Sequence, residues 1–417
     1  MNRNRLFLAS CVALVTTSMV FSIRGDILDA LGADFHLNKE QLGQILSPAF
    51  WGFTLSIIVG GSMVDLFGMR RLLMLSGIGY VVAIMAVIFA PFPSGPVESI
   101  FTNGSCLILY AAMLTLGLSQ GLVEGVINPL CSTLYPDNKT HRMNLLHAWW
   151  PGGLIVGGLL AYCITKVMGL DQGVDAATAT LGWRIKLATI LIAAVVYMVM
   201  ISKEKFPATE RVTAGVSNNQ MFRDLLQPMF LILWFCMWLT SATELGTDQW
   251  VSSLVTNLTG MQGVLVLVYT AGIMFVMRFF GGPLAHKFSP FGLLTISAVL
   301  SAVGLYALGS ISTTVGVFAA ATIFGIGKTY FWPTMLGITS ELFPKGGPVA
   351  LAVMGGTGNL AIAFVIPIMG GWYDAGGAAA TFKNVAVMPM VLIVLFLGLF
   401  LYFRSKGGYK AVELETS

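Results

Sequence analysis

Residues 117–136 read GLSQGLVEGVINPLCSTLYP, and residues 325–344 read GIGKTYFWPTMLGITSELFP. The two stretches align without gaps, half a chain length apart. Each opens on Gly, each closes on an aromatic residue and Pro, and a basic loop follows each. A second pair, GGSMVDLFGMRRLLML from Gly60 and GGPLAHKFSPFGLLTI from Gly281, falls at equivalent places of the two halves, at the ends of the second and eighth apolar runs. Self-similarity at a fixed offset marks a duplicated structural unit. The chain is therefore read as two copies of one half.

Composition says what each half is made of. Of 417 residues, 56% are hydrophobic and only 10% are charged, where a soluble domain is roughly 25% charged. The 23 Lys and Arg and 19 Asp and Glu residues are too few to coat a soluble globule of this length. Disorder is excluded by 27 Phe and 9 Trp. A net charge of +4 gives no case for a nucleic-acid partner. A helix crosses the hydrocarbon core with about 20 apolar residues. Twelve such stretches are read, at 6–30, 41–66, 71–91, 105–134, 143–167, 183–201, 228–256, 262–286, 291–310, 314–341, 348–371 and 383–404. They are continuous rather than alternating, which favours helices over a barrel. The runs near residues 14, 84 and 394 are almost uniformly apolar. The others carry Gly, Pro and polar residues, as helices lining a cavity do. The expected fold class is an all-α integral membrane protein, with twelve transmembrane helices in two six-helix halves related by a pseudo-two-fold axis. The halves are 1–201 and 228–417, the second ending in a short tail. The polar segment 202–227, SKEKFPATERVTAGVSNNQMFRDLLQ, links them.

Basic residues such as Arg70, Arg71, Lys203, Lys205 and Arg404 crowd the even-numbered loops and the tails. By the positive-inside rule both termini are cytoplasmic, in a plasma (inner) membrane. Arg3 and Arg5 precede an apolar run too long for a cleaved signal, and no small-residue cleavage site follows it. The first span is read as retained. No phosphate-binding loop and no Cys/His cluster occurs. The five cysteines, at 11, 106, 131, 163 and 236, read as small core residues. No cofactor and no metal is expected.

Ionisable side chains within a membrane are costly and mark function by default. Here they are Arg24, Asp26 and Asp29 in span 1, Glu124 in span 4, Glu244 and Asp248 in span 7, Arg278 in span 8 and Lys328 in span 10, with Asp29, one turn further out, read as facing water. Burial favours the neutral form of a carboxylate, which suits uptake of a coupling proton. Asp26 and Glu124 are read in that role. The plainer alternatives are a pair between Asp26 and Arg24, and a helix-packing hydrogen bond for Glu124. Glu244 and Asp248, four residues apart, resist simultaneous ionisation. They ask for a proton, or for a sodium ion held with Thr240 and Thr247; the alternative is a helix end already in water. Lys328 is set against Glu244 or against substrate, and Arg278 reads as a structural pair. His147-Ala-Trp149-Trp150-Pro151 offers rings that stack on sugar C–H faces and an imidazole that bonds hydroxyls. Trp149 equally reads as an interfacial aromatic. Arg24, Gln120, Asn128, His147, Trp150, Gln249, Trp250, Lys328, Tyr330, Trp332 and Asn359 are the candidate substrate-binding residues. Trp332 is the repeat counterpart of Glu124.

Gly61-Ser-Met-Val-Asp65-Leu-Phe-Gly68-Met-Arg70-Arg71 resembles the span 2–3 loop signature of the major facilitator superfamily. In that reading Asp65 caps a helix end and pairs with Arg70 or Arg71, which holds one conformation closed. The second copy has His286 in place of Asp65, so its latch is expected to be weaker. Asp26-Ile27-Leu28, Glu124 with Asn128-Pro129, and Arg142-Met-Asn144 leading to Gly152-Gly153 resemble the fucose–galactose–glucose:proton symporter family. That resemblance covers spans 1 to 5 and implies proton and sugar handling by Asp26 and Glu124. The chain departs from the family at Gly25, where the family has Asn, and at His147 and Trp150, where it has sugar-facing Gln and Asn.

The sequence thus describes a secondary active transporter rather than an enzyme. It would move a sugar or related polyhydroxylated solute by alternating access, with a proton or sodium as coupling ion. The alternative within transport is an organic-anion or sugar-acid carrier, with Arg24 and Lys328 clamping a carboxylate. A further alternative is a non-transporting membrane sensor on the same fold. The expected partners are a small-molecule substrate and bilayer lipid, with the chain acting as a monomer.

Overall fold

A computed structural model describes residues 2–135, 145–207, 225–278, 284, 287–343 and 347–410. Among them, 10 helices are long and apolar enough to cross a membrane. The last, Val353–Ser405, has 53 residues, about twice what a bilayer needs. It turns at Gly377, whose φ of 74° suits a residue without a Cβ, and it therefore makes two spans. Val264–Arg278 is the remaining one. Twelve spans result.

The helix starts are encoded locally. Asn2, Asn103, Asp175, Ser289 and Thr313 each accept a backbone N–H of the turn that follows. Asn38 and Gln41 form a capping box at the start of span 2. Spans 1, 2, 7 and 10 are interrupted, the last between Thr314–Lys328 and Phe331–Leu342. A short helix, Leu28–Asp34, follows span 1. Span 2 begins as Lys39–Leu46 before Pro48–Phe67. Span 7 runs Pro228–Ser241, then a π turn at Ala242–Gly246, then Thr247–Thr259.

In the first half, spans 2 and 3 pack on span 4, and span 1 packs on spans 5 and 6. In the second, span 9 packs on spans 10 and 12, span 7 on span 11 and span 8 on span 10. The halves meet where span 1 faces span 7, span 2 faces span 11 and span 5 faces span 8. Under the repeat, spans 2 and 11 become spans 8 and 5, so the seam obeys the pseudo-two-fold axis.

Spans 3 and 6 turn Leu75, Val82, Ile192 and Val199 outward, as lipid contact requires. Span 1 is as apolar in sequence, yet Leu6, Ala9, Ala13 and Leu14 are buried, because this helix is surrounded by spans 5, 6 and 7. One cysteine departs from the core reading. Cys163 is exposed on span 5, while the other four are buried.

Candidate functional site

Arg24 sits in the seam where span 1 meets span 7, and it is 1% exposed. Its Nε donates to Gln249 Oε1 at 2.9 Å. Gln249 Nε2 donates in turn to the Phe21 carbonyl at 3.4 Å. A glycine at position 25 allows this approach, since a Cβ there would stand 3.0 Å from the Gln249 carbonyl oxygen. The guanidinium carbon lies 5.1 Å from the Phe21 ring and 4.7 Å from the Phe50 ring. Trp150 extends this wall, with its ring 5.0 Å from that of Phe21. Arg24 Nη1 and Nη2 are buried and have no hydrogen-bond partner among the described residues.

The other intramembrane charges are arranged differently. Asp26 pairs with Lys186 of span 6 at 2.6 Å and accepts from Ser252 at 3.4 Å, so it does not pair with Arg24. Asp29 pairs with Lys39 and accepts from Ser253 at 2.8 Å and Asn257 at 3.0 Å. Asp248 is buried rather than at a hydrated helix end, and its partner is Lys328. Glu244 pairs with Arg278 at 3.6 Å. One sequence expectation is corrected here: Lys328 pairs with Asp248 rather than with Glu244. The π turn bears on this. It inserts an i→i+5 step at Glu244, so the four-residue spacing does not stack the two acids as it would in a regular helix. The two pairs stay within electrostatic reach of each other. The side chain of Glu124 makes no ion pair and no hydrogen bond among the described residues.

Several predicted substrate ligands are engaged elsewhere. Trp250 is fully buried and its indole N–H donates to the Ile366 carbonyl at 3.2 Å. Tyr330 donates to the Met277 carbonyl at 3.0 Å, and Asn359 to the Gly355 carbonyl at 3.4 Å. Trp332 packs against Gly358. In the first half, His147 Nε2 and Asn128 Oδ1 lie 3.0 Å apart. Gln120 donates to the Thr17 carbonyl at 3.4 Å, leaving its Oε1 buried without a partner. Trp149 is 43% exposed, which fits an interfacial aromatic. The side chain of Asp65, together with Arg142, Asn144 and His286, lies outside the described residues. Arg70 donates to the Ser202 carbonyl, and Arg71 is exposed.

Sequence reading missed Lys186, Lys39, Phe21 and Phe50. Lys186 lies inside the apolar run of span 6, a position that places it within hydrocarbon. Phe21 and Phe50 are indistinguishable from core residues until Arg24 is seen beside them.

The sequence model of the Major Facilitator Superfamily matches residues 6–316. A gentisate transporter of Corynebacterium glutamicum is 25% identical over 236 residues, covering 55% of this chain and 47% of that protein. The voltage-gated purine nucleotide uniporter of Rattus norvegicus is 28% identical over 145 residues, covering 34% and 29%. The chain thus matches less than half the length of these curated relatives. Among solved structures, the xylose transporter of E. coli in a partially occluded inward-open conformation superposes with a TM-score of 0.76 at 14% identity, over 95% of this chain and 97% of that one. The transporter FucP in its outward conformation gives 0.63 at 17% identity, over 94% and 98%. Likeness at these identities is likeness of fold.

Proposed function

The chain belongs to the major facilitator superfamily and is a multi-pass membrane transporter, not an enzyme; we propose that it carries a small organic anion together with a proton. One observation carries the reading. Of the eight ionisable residues that the sequence places within the spans, six stand in ion pairs, and Arg24 and Glu124 have no ion-pair partner among the described residues. An uncompensated charge in a low-dielectric interior is costly. A guanidinium keeps its proton, so Arg24 asks for an anion. A carboxylate is relieved by protonation, so Glu124 asks for a proton. When both are bound the interior is electrically balanced, and that loaded state is the one free to rock between the two faces of the membrane.

The cargoes named for two relatives, gentisate and purine nucleotides, are both organic anions and support the reading. Lys328 is not part of the anion clamp, because Asp248 holds it. The termini are assigned to the cytoplasmic side of a plasma membrane by the distribution of Lys and Arg in the loops. A neutral polyhydroxylated solute is the second reading, favoured by the buried, unpartnered amide oxygen of Gln120.

The test is uptake into proteoliposomes under an imposed pH gradient or sodium gradient. Lactate, benzoate and gluconate are compared with xylose and fucose. The expected result is pH-driven accumulation of at least one acid, and not of either sugar. Accumulation of a sugar without any acid overturns the reading, as does accumulation driven by sodium alone.

A further inference from the structure

Gln249 is fully buried on span 7, and both ends of its amide reach into span 1 across the seam. Its oxygen accepts from Arg24 Nε at 2.9 Å and its nitrogen donates to the Phe21 carbonyl at 3.4 Å. A guanidinium presents five N–H donors in a planar fork. With the Nε–H held, the four N–H groups on Nη1 and Nη2 remain, and none has a partner. The side chain that touches the cation is thus a neutral one. A carboxylate in the same place would close the site with an internal ion pair.

We infer that Gln249 is a positioning residue for the substrate anion. From the opposite half it turns Arg24 so that the buried Nη1–Nη2 edge alone is left unpartnered, which is the edge that takes a carboxylate in two parallel hydrogen bonds. Being neutral, it leaves the charge of Arg24 to the substrate. Because the contact crosses the seam, this orientation exists only while spans 1 and 7 are closed on each other. The inference rests on the organic-anion reading given above.

The test compares Gln249→Glu with Gln249→Ala in the full chain, reconstituted into proteoliposomes. The probe is whichever of lactate, benzoate and gluconate the unsubstituted chain accumulates. Glu keeps the shape of Gln and adds a charge beside Arg24, whereas Ala removes the side chain. The expected order is a KM raised more than tenfold by Glu and a few-fold by Ala, with kcat changed less than KM in both. A packing role predicts the reverse order, with Glu close to the unsubstituted chain and Ala worst, and that result overturns the inference. A second measurement covers the case of a poorly folded variant. Saturating acid raises the melting temperature of the purified unsubstituted chain in detergent, and it should leave that of Gln249→Glu unmoved. An equal rise in both overturns the inference. If no acid accumulates with the unsubstituted chain, the anion reading falls and this inference falls with it. If acid accumulates and Gln249→Glu keeps an unchanged KM, only the inference falls.

Discussion

Replacing Lys328 by Met removes the amine that faces Asp248. Both side chains are out of solvent, at 0% and 3% exposure, and Asp248 Oδ2 already lacks a partner. Removing one member of a buried pair costs about 3–5 kcal/mol, whereas replacing both by apolar groups of similar volume is nearly neutral. Lys328→Met is therefore expected to destabilise the chain by about 3–5 kcal/mol, and adding Asp248→Leu should recover most of that loss. At roughly 1–2 °C per kcal/mol for a chain of this size, the single variant melts about 5 °C lower. The assay is a circular-dichroism melt of the purified protein in detergent, with transport measured on the same preparations. A substrate-clamp role for Lys328 predicts the opposite pattern, with transport lost and the melting temperature unchanged. That pattern, or a double variant no more stable than the single one, refutes the assignment of Lys328 as the counterion of Asp248.

The remaining predictions concern the seam and the surface. Glu124→Gln should abolish accumulation driven by a pH gradient while leaving exchange of labelled for unlabelled substrate; retained accumulation would remove Glu124 from the coupling step. Gly25→Ala sets a Cβ 3.0 Å from the Gln249 carbonyl oxygen and should part spans 1 and 7 by a few tenths of an ångström. The Arg24–Gln249 bond is then weakened, read as a rise in KM for the acid of a few-fold, and an unchanged KM would show that the seam tolerates the methyl. Asp171, in the loop after span 5, has its pKa lowered by the hydrogen bond from Lys166. Its contribution to stability is present above the unfolded value of about 3.9 and is lost as pH falls through the lower folded value. The pair is open to water, so Asp171→Asn should shift the melting temperature at pH 7 by less than about 1 °C, and a larger fall would mean that the loop is a structural brace.

The fold was legible because its signals are strong and local. A half-length repeat, twelve apolar runs and a deficit of charge leave few architectures open. The boundaries were less so: Pro48 marks the break at Ser47, but the break at Ile27 and the π turn at Ala242–Gly246 leave no clear mark in composition. In the site, the residue types were legible and the partners were not. Arg24, Glu124, Glu244, Asp248 and Lys328 stand out as charges in apolar surroundings. Which charge meets which depends on the phase of each helix, and one inserted residue in span 7 was enough to move Glu244 to Arg278 and Asp248 to Lys328. Gln249, an amide among many polar residues, gains its meaning only from the cation it touches.

The pairing pattern also bears on how such a molecule moves. Asp26–Lys186 and Asp29–Lys39 lie within the first half, and Glu244–Arg278 and Asp248–Lys328 lie within the second. What crosses the seam between spans 1 and 7 is of another kind. Arg24 meets the amide of Gln249, Asp26 meets Ser252, and Asp29 meets Ser253 and Asn257. Nearby, the Asp374 carboxylate accepts from the backbone N–H groups of Lys39 and Glu40, joining span 11 to the start of span 2. Each such bond has a charged member on one side and a neutral one on the other. Separating a buried ion pair strands two charges, at several kcal/mol each. Opening a hydrogen bond to water exchanges one partner for another, at about 1 kcal/mol. A seam made of the second kind can part without stripping any counterion, because each half keeps its own. The two exceptions are Arg24 and Glu124, which have no counterion among the described residues. They are the positions where the energy of the moving halves must depend on what is bound, and so the positions where transport and its driving ion meet.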